Sequence, residues 1–283
     1  MRQTSPRGAS YLFGHSEAET RRLQVQAQLF NPATRRMLVD AGIGPGMRVL
    51  DVGSGAGDVA LLLAELVGPD GQVVGVESNP LILESARARV DSAELRNVSF
   101  VVGDIATTPL DGVFDAAVGR CVLFFVPDPV TVLRRVMQVV RAGGSVAFQE
   151  PGNAAHPPVS VPPSPLLEQI WSWILELYRR TGRDWYMGLR LYPIFVEAGL
   201  PGPMMHLDAA VGGGLDWVGY EYMASLIQTL LPRLVEAGIA TAEEIDINTL
   251  ADRLRAEIAG QQGVATTWSF ITAWTRKPLA GTS

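Results

Sequence analysis

The stretch Val49-Leu50-Asp51-Val52-Gly53-Ser54-Gly55-Ala56-Gly57-Asp58 combines residue types that together can hold an anion. An apolar run ends at Asp51, three glycines follow at alternate positions, and a helical apolar pattern starts at Val59. A strand that passes through a glycine turn into a helix aims backbone N–H groups and a helix N-terminus at a bound anion. Gly53 and Gly55 have no Cβ to hold a ligand off the backbone. The turn predicts a nucleotide or nucleoside site at the carboxyl end of a parallel sheet. Glu77, followed by Ser78, closes a second apolar run 26 residues beyond Asp51. Its carboxylate only accepts hydrogen bonds, which suits the two hydroxyls of a ribose. Asp104 and Ile105 follow a third run; the acid can accept from an exocyclic amine of adenine while Ile105 packs on the ring. A fourth run, Phe114–Val118, leads to Arg120 and Cys121.

The elements that must position these groups alternate. Strands are expected at Met47–Val52, Gln72–Val76, Val98–Val102, Phe114–Val118 and Ser145–Gln149. Helices are expected at Asp58–Val67, Asn79–Val90 and Pro129–Val140. Near-continuous apolar strands separated by helices imply an α/β fold, its parallel sheet buried on both faces. Two helices are expected before them, Ser16–Leu29 and Pro32–Ala41, with the break at Asn31 and a proline first in the second. Residues 151–165 read as a proline-rich loop, and Leu166–Arg180 as an amphipathic helix. A helix over Leu189–Ala198 and a strand over Met204–Val211 follow. Gly212-Gly213-Gly214 reads as a flexible break. Helices are expected at Trp217–Ala237 and Ala242–Ala259, and a last strand at Val264–Thr275.

Composition narrows the function classes. With 47% hydrophobic residues the 283-residue chain can bury a large core. A net charge of −6 without a long basic run argues against broad nucleic-acid binding. Cys121 is the single cysteine, so no internal disulfide is expected and a cytoplasmic location is. Neither an apolar leader nor a membrane-spanning run is read. His15, His156 and His206 share no metal-ligand spacing, and no metal site is expected.

In the glycine motif Asp51–Gly57, the acid Glu77, the acid Asp104 and the segment Phe114–Phe125, the chain resembles the class I S-adenosylmethionine-dependent methyltransferases. The nearest likeness is to their ubiquinone/menaquinone-type and bacterial natural-product members, whose N-terminal helix is similar to Tyr11–Leu23. The resemblance implies a doubly wound, mostly parallel seven-stranded sheet with a reversed last strand, plus a helical cap. It also implies a cofactor, S-adenosyl-L-methionine, and a small-molecule substrate. Its expected divisions are an N-terminal lid (1–42), a cofactor-binding core (43–150), cap insertions (151–187 and 212–260), a core helix and strand (188–211), and a final strand with tail (261–283). The cofactor contacts it implies are Tyr11 from the lid, Asp51, Gly53, Ser54 and Gly55 at the methionyl end, Glu77 and Ser78 at the ribose, Asp104 and Ile105 at the adenine, and Arg120 and Cys121 near the sulfonium.

No catalytic dyad is evident, which favours catalysis by alignment. His15, His156 and Glu150 are the weak candidates for a base or substrate contact. Trp171, Trp173, Tyr178, Trp185, Tyr186, Trp217, Tyr220 and Tyr222 fall in the cap, as core or as an apolar substrate chamber. The same cap helices could form a homo-oligomer surface. Two alternatives stand beside this reading. Gly55-Ala56-Gly57-Asp58-Val59-Ala60 also fits the loose G-x-G-x-x-A dinucleotide pattern, which would make the chain an NAD(P)-dependent oxidoreductase. A cofactor-binding regulatory protein without turnover is the other.

Overall fold

The computed structural model describes residues 17–152, 157–184 and 186–279. Helix α1 (Glu17–Asp40) precedes β1 (Arg48–Val52), α2 (Asp58–Val67), β2 (Gln72–Glu77), α3 (Pro80–Ser92), β3 (Val98–Val102), β4 (Phe114–Arg120), α4 (Pro129–Val139) and β5 (Val140–Pro151). Then come β6 (Ser160–Val161), α5 (Pro165–Thr181), α6 (Met187–Glu197), β7 (Met204–Asp208), β8 (Val211–Gly213), α7 (Gly219–Glu236), α8 (Ala242–Ile245), α9 (Leu250–Ala259), β9 (Val264–Thr266) and β10 (Phe270–Arg276). Among the described residues no helix is long and apolar enough to cross a membrane.

Three helices start by one device. The side chains of Asn79, Asp128 and Ser164 accept from the backbone N–H of Leu81, Thr131 and Leu167, and a proline occupies the first turn each time. The large sheet has the order β3-β2-β1-β4-β5-β10-β7, with β10 antiparallel to both neighbours and the other pairs parallel. This is the expected seven-stranded, doubly wound sheet with a reversed last strand. Side-chain alternation divides its core between two faces. Val49, Val73, Ala116, Val118 and Ala147 pack with residues of α1 and α2. Leu50, Val52, Val74, Val76, Ala117 and Phe148 pack on the opposite face with α4 and α6. The winding reverses between β1 and β4, which opens a crevice at the carboxyl ends of those strands.

Several sequence expectations are corrected. The N-terminal region is one helix, not two, and runs through Pro32. Proline lacks one N–H and would ordinarily break the ladder. Here buried Phe30 on one side and Met37 and Leu38 on the other fasten both halves to the core. The expected Ala242–Ala259 helix is divided at Asp246, which takes φ +40°. The strand expected at Val264–Thr275 serves two sheets: β9 joins β6 and β8, while β10 joins the large sheet. Gly212 and Gly213 belong to β8, where they pair with Ala265 and Val264 instead of forming a loose break. β5 runs beyond its expected ends, and β6 lies inside the expected proline-rich loop.

Glu150, on β5, fixes the turn after β4. Its carboxylate accepts from the backbone N–H groups of Val122 and Leu123 (Oε1, 2.9 and 2.8 Å) and Phe124 (Oε2, 3.1 Å). The turn is entered through Cys121 at φ +56°, a conformation that costs a non-glycine residue energy. Burial pushes the Glu150 carboxyl up to about 7, against the pull of the three amides. Burial likewise raises Asp51 to about 8. Folding therefore favours the protonated forms. Stability is highest below the ordinary carboxyl values of 4.5 and 3.8, is lost progressively as pH rises from there to about 7 and 8, at up to about 1.4 kcal/mol per pH unit per group, and levels off above. The expected outcome is a melting temperature that falls from pH 6 to pH 8, with a shallower slope in Glu150→Gln. A melting temperature that climbs over this range contradicts the assignment. Glu150→Ala strands two buried donors and one part-buried donor and costs at least about 2 kcal/mol, read as a lower melting temperature at every pH.

Candidate functional site

A cavity of about 700 Å³ opens at the carboxyl ends of β1 to β4. Its lining falls into two parts. One is built from the ends of three adjacent strands: Gly53–Ala56 after β1, Glu77–Pro80 after β2, and Gly103–Ile105 after β3. The other is apolar and aromatic: Phe124 and Phe125 after β4, Trp171, Ile174 and Tyr178 of α5, Tyr222 and Leu226 of α7, then Trp268 and Phe270.

The glycine turn requires positive φ at Gly53, Gly55 and Gly57 (65°, 51° and 86°). The reasons differ. A Cβ on Gly53 would lie 1.8 Å from Val122 Cγ2, so this glycine clears a neighbouring side chain, and it also lines the cavity. A Cβ on Gly55 would meet nothing within 4 Å, which leaves its face of the turn open. Gly55 N–H donates to Glu77 Oε2 at 3.1 Å. Glu77 Oε1 accepts from Asn79 N–H at 2.9 Å and Ser78 Oγ at 3.2 Å. One carboxylate thus joins the turns after β1 and β2 while facing the cavity. Asp104 Oδ1 accepts from Ala106 N–H at 2.8 Å, and buried Ile105 lies beside it in the wall. Ser54 Oγ is buried in the lining and has no hydrogen-bond partner among the described residues.

Asp51 and Glu150 are not among the lining residues. Asp51 is buried and accepts from the backbone N–H of Ala60. Its Oδ2 has no partner among the described residues. Burial chiefly raises its pKa; Arg120 works against this, while the charges of Asp58 and Glu77 add to it. Glu150, expected as a weak substrate contact, is fully committed to the Val122–Phe124 turn. Arg120 reaches the cavity, but its guanidinium is held in a network. Nη1 donates to Asn31 Oδ1 (2.9 Å) and Thr34 Oγ1 (3.2 Å) of α1, and Nη2 pairs with Asp58 Oδ2 at 3.5 Å. Arg89 pairs with Asp58 Oδ1 at 2.7 Å and donates to Ala56 O at 2.6 Å.

Sequence reasoning missed Asp58, Arg89, Asn31, Thr34 and the lining residue Gln26. Asp58 offered a signal: it follows the third glycine and begins α2, where an acid suits the helix dipole. Of the eight cap aromatics, Trp171, Tyr178 and Tyr222 line the cavity. Trp173 and Tyr220 are core, and Tyr186 is exposed. Trp217 packs edge-on against Tyr220. His206 lies in β7, edge-on to Trp274. Tyr11, His15, His156 and Trp185 lie outside the described residues.

Comparison with known proteins bears on this geometry. A family model described as a methyltransferase domain matches residues 43–199. The aklanonic acid methyltransferase of a Streptomyces species is 34% identical over 182 residues, 61% of this chain and 82% of that protein. The demethylmenaquinone methyltransferase of Lactococcus lactis is 33% identical over 40% of this chain and 45% of its own. The arsenite methyltransferase of Halobacterium salinarum is 38% identical, but the match spans only 28% of that longer protein. Among solved structures, a methyltransferase candidate from Bacillus halodurans superposes with a TM-score of 0.57 at 19% identity, covering 86% of this chain and 97% of that one. The [4+2]-cyclase SpnF superposes with a TM-score of 0.54, also at 19% identity, covering 89% and 83%. These two likenesses speak to the fold alone. The family model and the Streptomyces relative together show that the chain belongs to the methyltransferase-domain family, as a class I S-adenosylmethionine-dependent methyltransferase of small-molecule type.

Proposed function

We propose that this chain transfers the methyl group of S-adenosylmethionine to a small, largely apolar metabolite, and that it does so mainly by positioning. The observation that carries the reading is the two-part cavity: strand-end acids and open main chain on one part of the lining, aromatic side chains on the other. The residues fit the cofactor. The open face at Gly55 and the partnerless Ser54 Oγ suit the methionyl end. Glu77 would take the ribose, and Asp104 with Ile105 the adenine. Ser78 would support Glu77 through its hydroxyl. Cys121 would form part of the floor, and Arg120 would brace that floor from within its network.

When bound, the cofactor supplies an electrophilic sulfonium methyl. The chain's own share is to orient the acceptor and exclude water. The aromatic lining does both. The carboxylates of Asp58, Glu77 and Asp104 line the cavity, with Asp51 buried behind them, and they favour a cationic ligand. Among the described lining residues there is no histidine. Asp58 is ion-paired, and Glu77 and Asp104 brace turns. This supports alignment over proton abstraction as the main contribution. A cytoplasmic location is part of the same proposal.

Titration calorimetry with S-adenosylhomocysteine and with NAD tests the reading; heat with the first alone is expected, and binding of NAD alone would overturn it. Glu77→Ala should weaken S-adenosylhomocysteine binding by about 1–3 kcal/mol, roughly 5- to 150-fold, through loss of a charge-assisted pair. An unchanged dissociation constant removes Glu77 from the ribose. A cationic ligand also pulls a proton off Asp51, whose pKa in the free protein stands at about 8. Cofactor affinity should therefore rise with pH and level off near pH 8, and Asp51→Asn should abolish that rise. Equal affinity at pH 6.5 and 8 in the parent protein would detach Asp51 from binding.

A further inference from the structure

The turn after β4 touches both parts of the cavity lining, and one buried side chain sets its shape. Val122 fills the space beside Gly53, where a Cβ would lie 1.8 Å from its Cγ2, so it abuts the glycine turn. Phe124, two residues on, belongs to the aromatic part of the lining. Its ring stands edge-on to Tyr178 of α5 at 5.5 Å and to Phe125 at 5.1 Å. Phe124 and Phe125 also wall a second cavity, of about 290 Å³. The turn is anchored on β5. Cys121 N–H donates to Gln149 O at 2.9 Å, and Phe125 N–H closes the turn on Val122 O at 3.0 Å. The three amides in between all end on Glu150, which divides the work. Oε1 accepts from Val122 and Leu123, and Oε2 accepts from Phe124. Glu150 is buried and does not line the cavity, so it acts on the site only through this turn.

We propose that Glu150 is a positioning residue for the acceptor: Oε1 fixes the Val122 end of the turn against the glycine turn, and Oε2 fixes Phe124 in the aromatic wall. The inference rests on the methyltransferase reading and deepens it. Transfer by alignment needs the wall that holds the acceptor to keep a set distance from the turn that holds the methyl donor. A single carboxylate that grips both ends of one short turn supplies that distance. Its chemistry suits the task, because an ionised carboxyl only accepts and can serve three converging N–H groups. A glutamine of the same shape has one accepting oxygen and a donating NH2. With its oxygen at the Oε1 position it keeps Val122 and Leu123, and its NH2 then faces the Phe124 N–H, donor against donor. The opposite placement would lose two hydrogen bonds instead of one. Glu150→Gln therefore frees the Phe124 end of the turn and leaves the Val122 end held.

The test uses two ligands at pH 8, above the value of about 7 to which burial pushes the Glu150 carboxyl. S-adenosylhomocysteine reads the glycine-turn part of the cavity. Prodan, a neutral fluorescent naphthalene, reads the aromatic part and is titrated with and without S-adenosylhomocysteine. Glu150→Gln should hold S-adenosylhomocysteine within about twofold of the parent protein and bind prodan at least about fivefold more weakly. Glu150→Ala should weaken both by at least about fivefold. Circular dichroism of each variant reports folding, and if Glu150→Ala does not fold, Glu150→Gln alone decides. A merely structural role would move the two ligands together. Glu150→Gln that binds both as the parent does, Glu150→Gln that loses both alike, or a parent protein that does not bind prodan overturns the proposal. Failure of S-adenosylhomocysteine to bind the parent protein tells against the cofactor reading alone, since the prodan comparison without it still decides the hold of Glu150 on Phe124.

Discussion

The ion pair between Arg120 and Asp58 holds together three stretches that are distant along the chain. Both side chains are about 5% exposed. Removing two charges from water costs several kcal/mol per ion, and the pair survives only if the remaining donors and acceptors are also met. Asn31 and Thr34 meet those of Arg120, and Arg89 meets Asp58. The end of β4, the start of α2 and the middle of α1 are thereby placed against one another. The glycine turn runs from β1 directly into the start of α2. Its left-handed backbone cannot be chosen by local preference alone, and the ion pair beyond it with the Glu77 contact within it select the one shape seen. Loss of Asp58 would leave the buried charge of Arg120 uncompensated, whereas loss of Arg120 would leave Asp58 with Arg89 alone.

The parallel core was legible because each of its signals is local. A strand, a turn residue and a capped helix can be recognised inside ten residues, and Asp51, Glu77 and Asp104 mark strand ends within that frame. The helix starts at Asn79-Pro80 and Pro129 were read in this way. The same signal misled at Asn31-Pro32, where contacts on both sides of the proline carry α1 through. The three-stranded sheet was missed because strands of two and three residues are too short to show a period. The roles of Arg120, Asp58 and Glu150 were hidden for a different reason. Their partners lie 26 to 89 residues away, and no spacing rule reaches so far.

The fold does not by itself name the chemistry. One superposable structure is a cyclase and another a methyltransferase candidate, and both share the sheet and its crevice. Beside the strand ends, α5 supplies Trp171 and Tyr178 to the cavity and α7 supplies Tyr222, none of which the glycine motif determines. Selection for a new acceptor can therefore change α5 and α7 while β1 to β4 keep the same turns.

The place of β10 in the sheet has a consequence for how the molecule is made. Among the described residues β7 pairs with β10 alone, yet 61 residues separate Asp208 from Phe270. On a growing chain β5 and β7 must wait with unpaired edges while α7, α8 and α9 are translated. Such edges invite pairing with other molecules. The late strand brings Trp268 and Phe270 with it, so the hollow gains its last wall in the same event that completes the sheet.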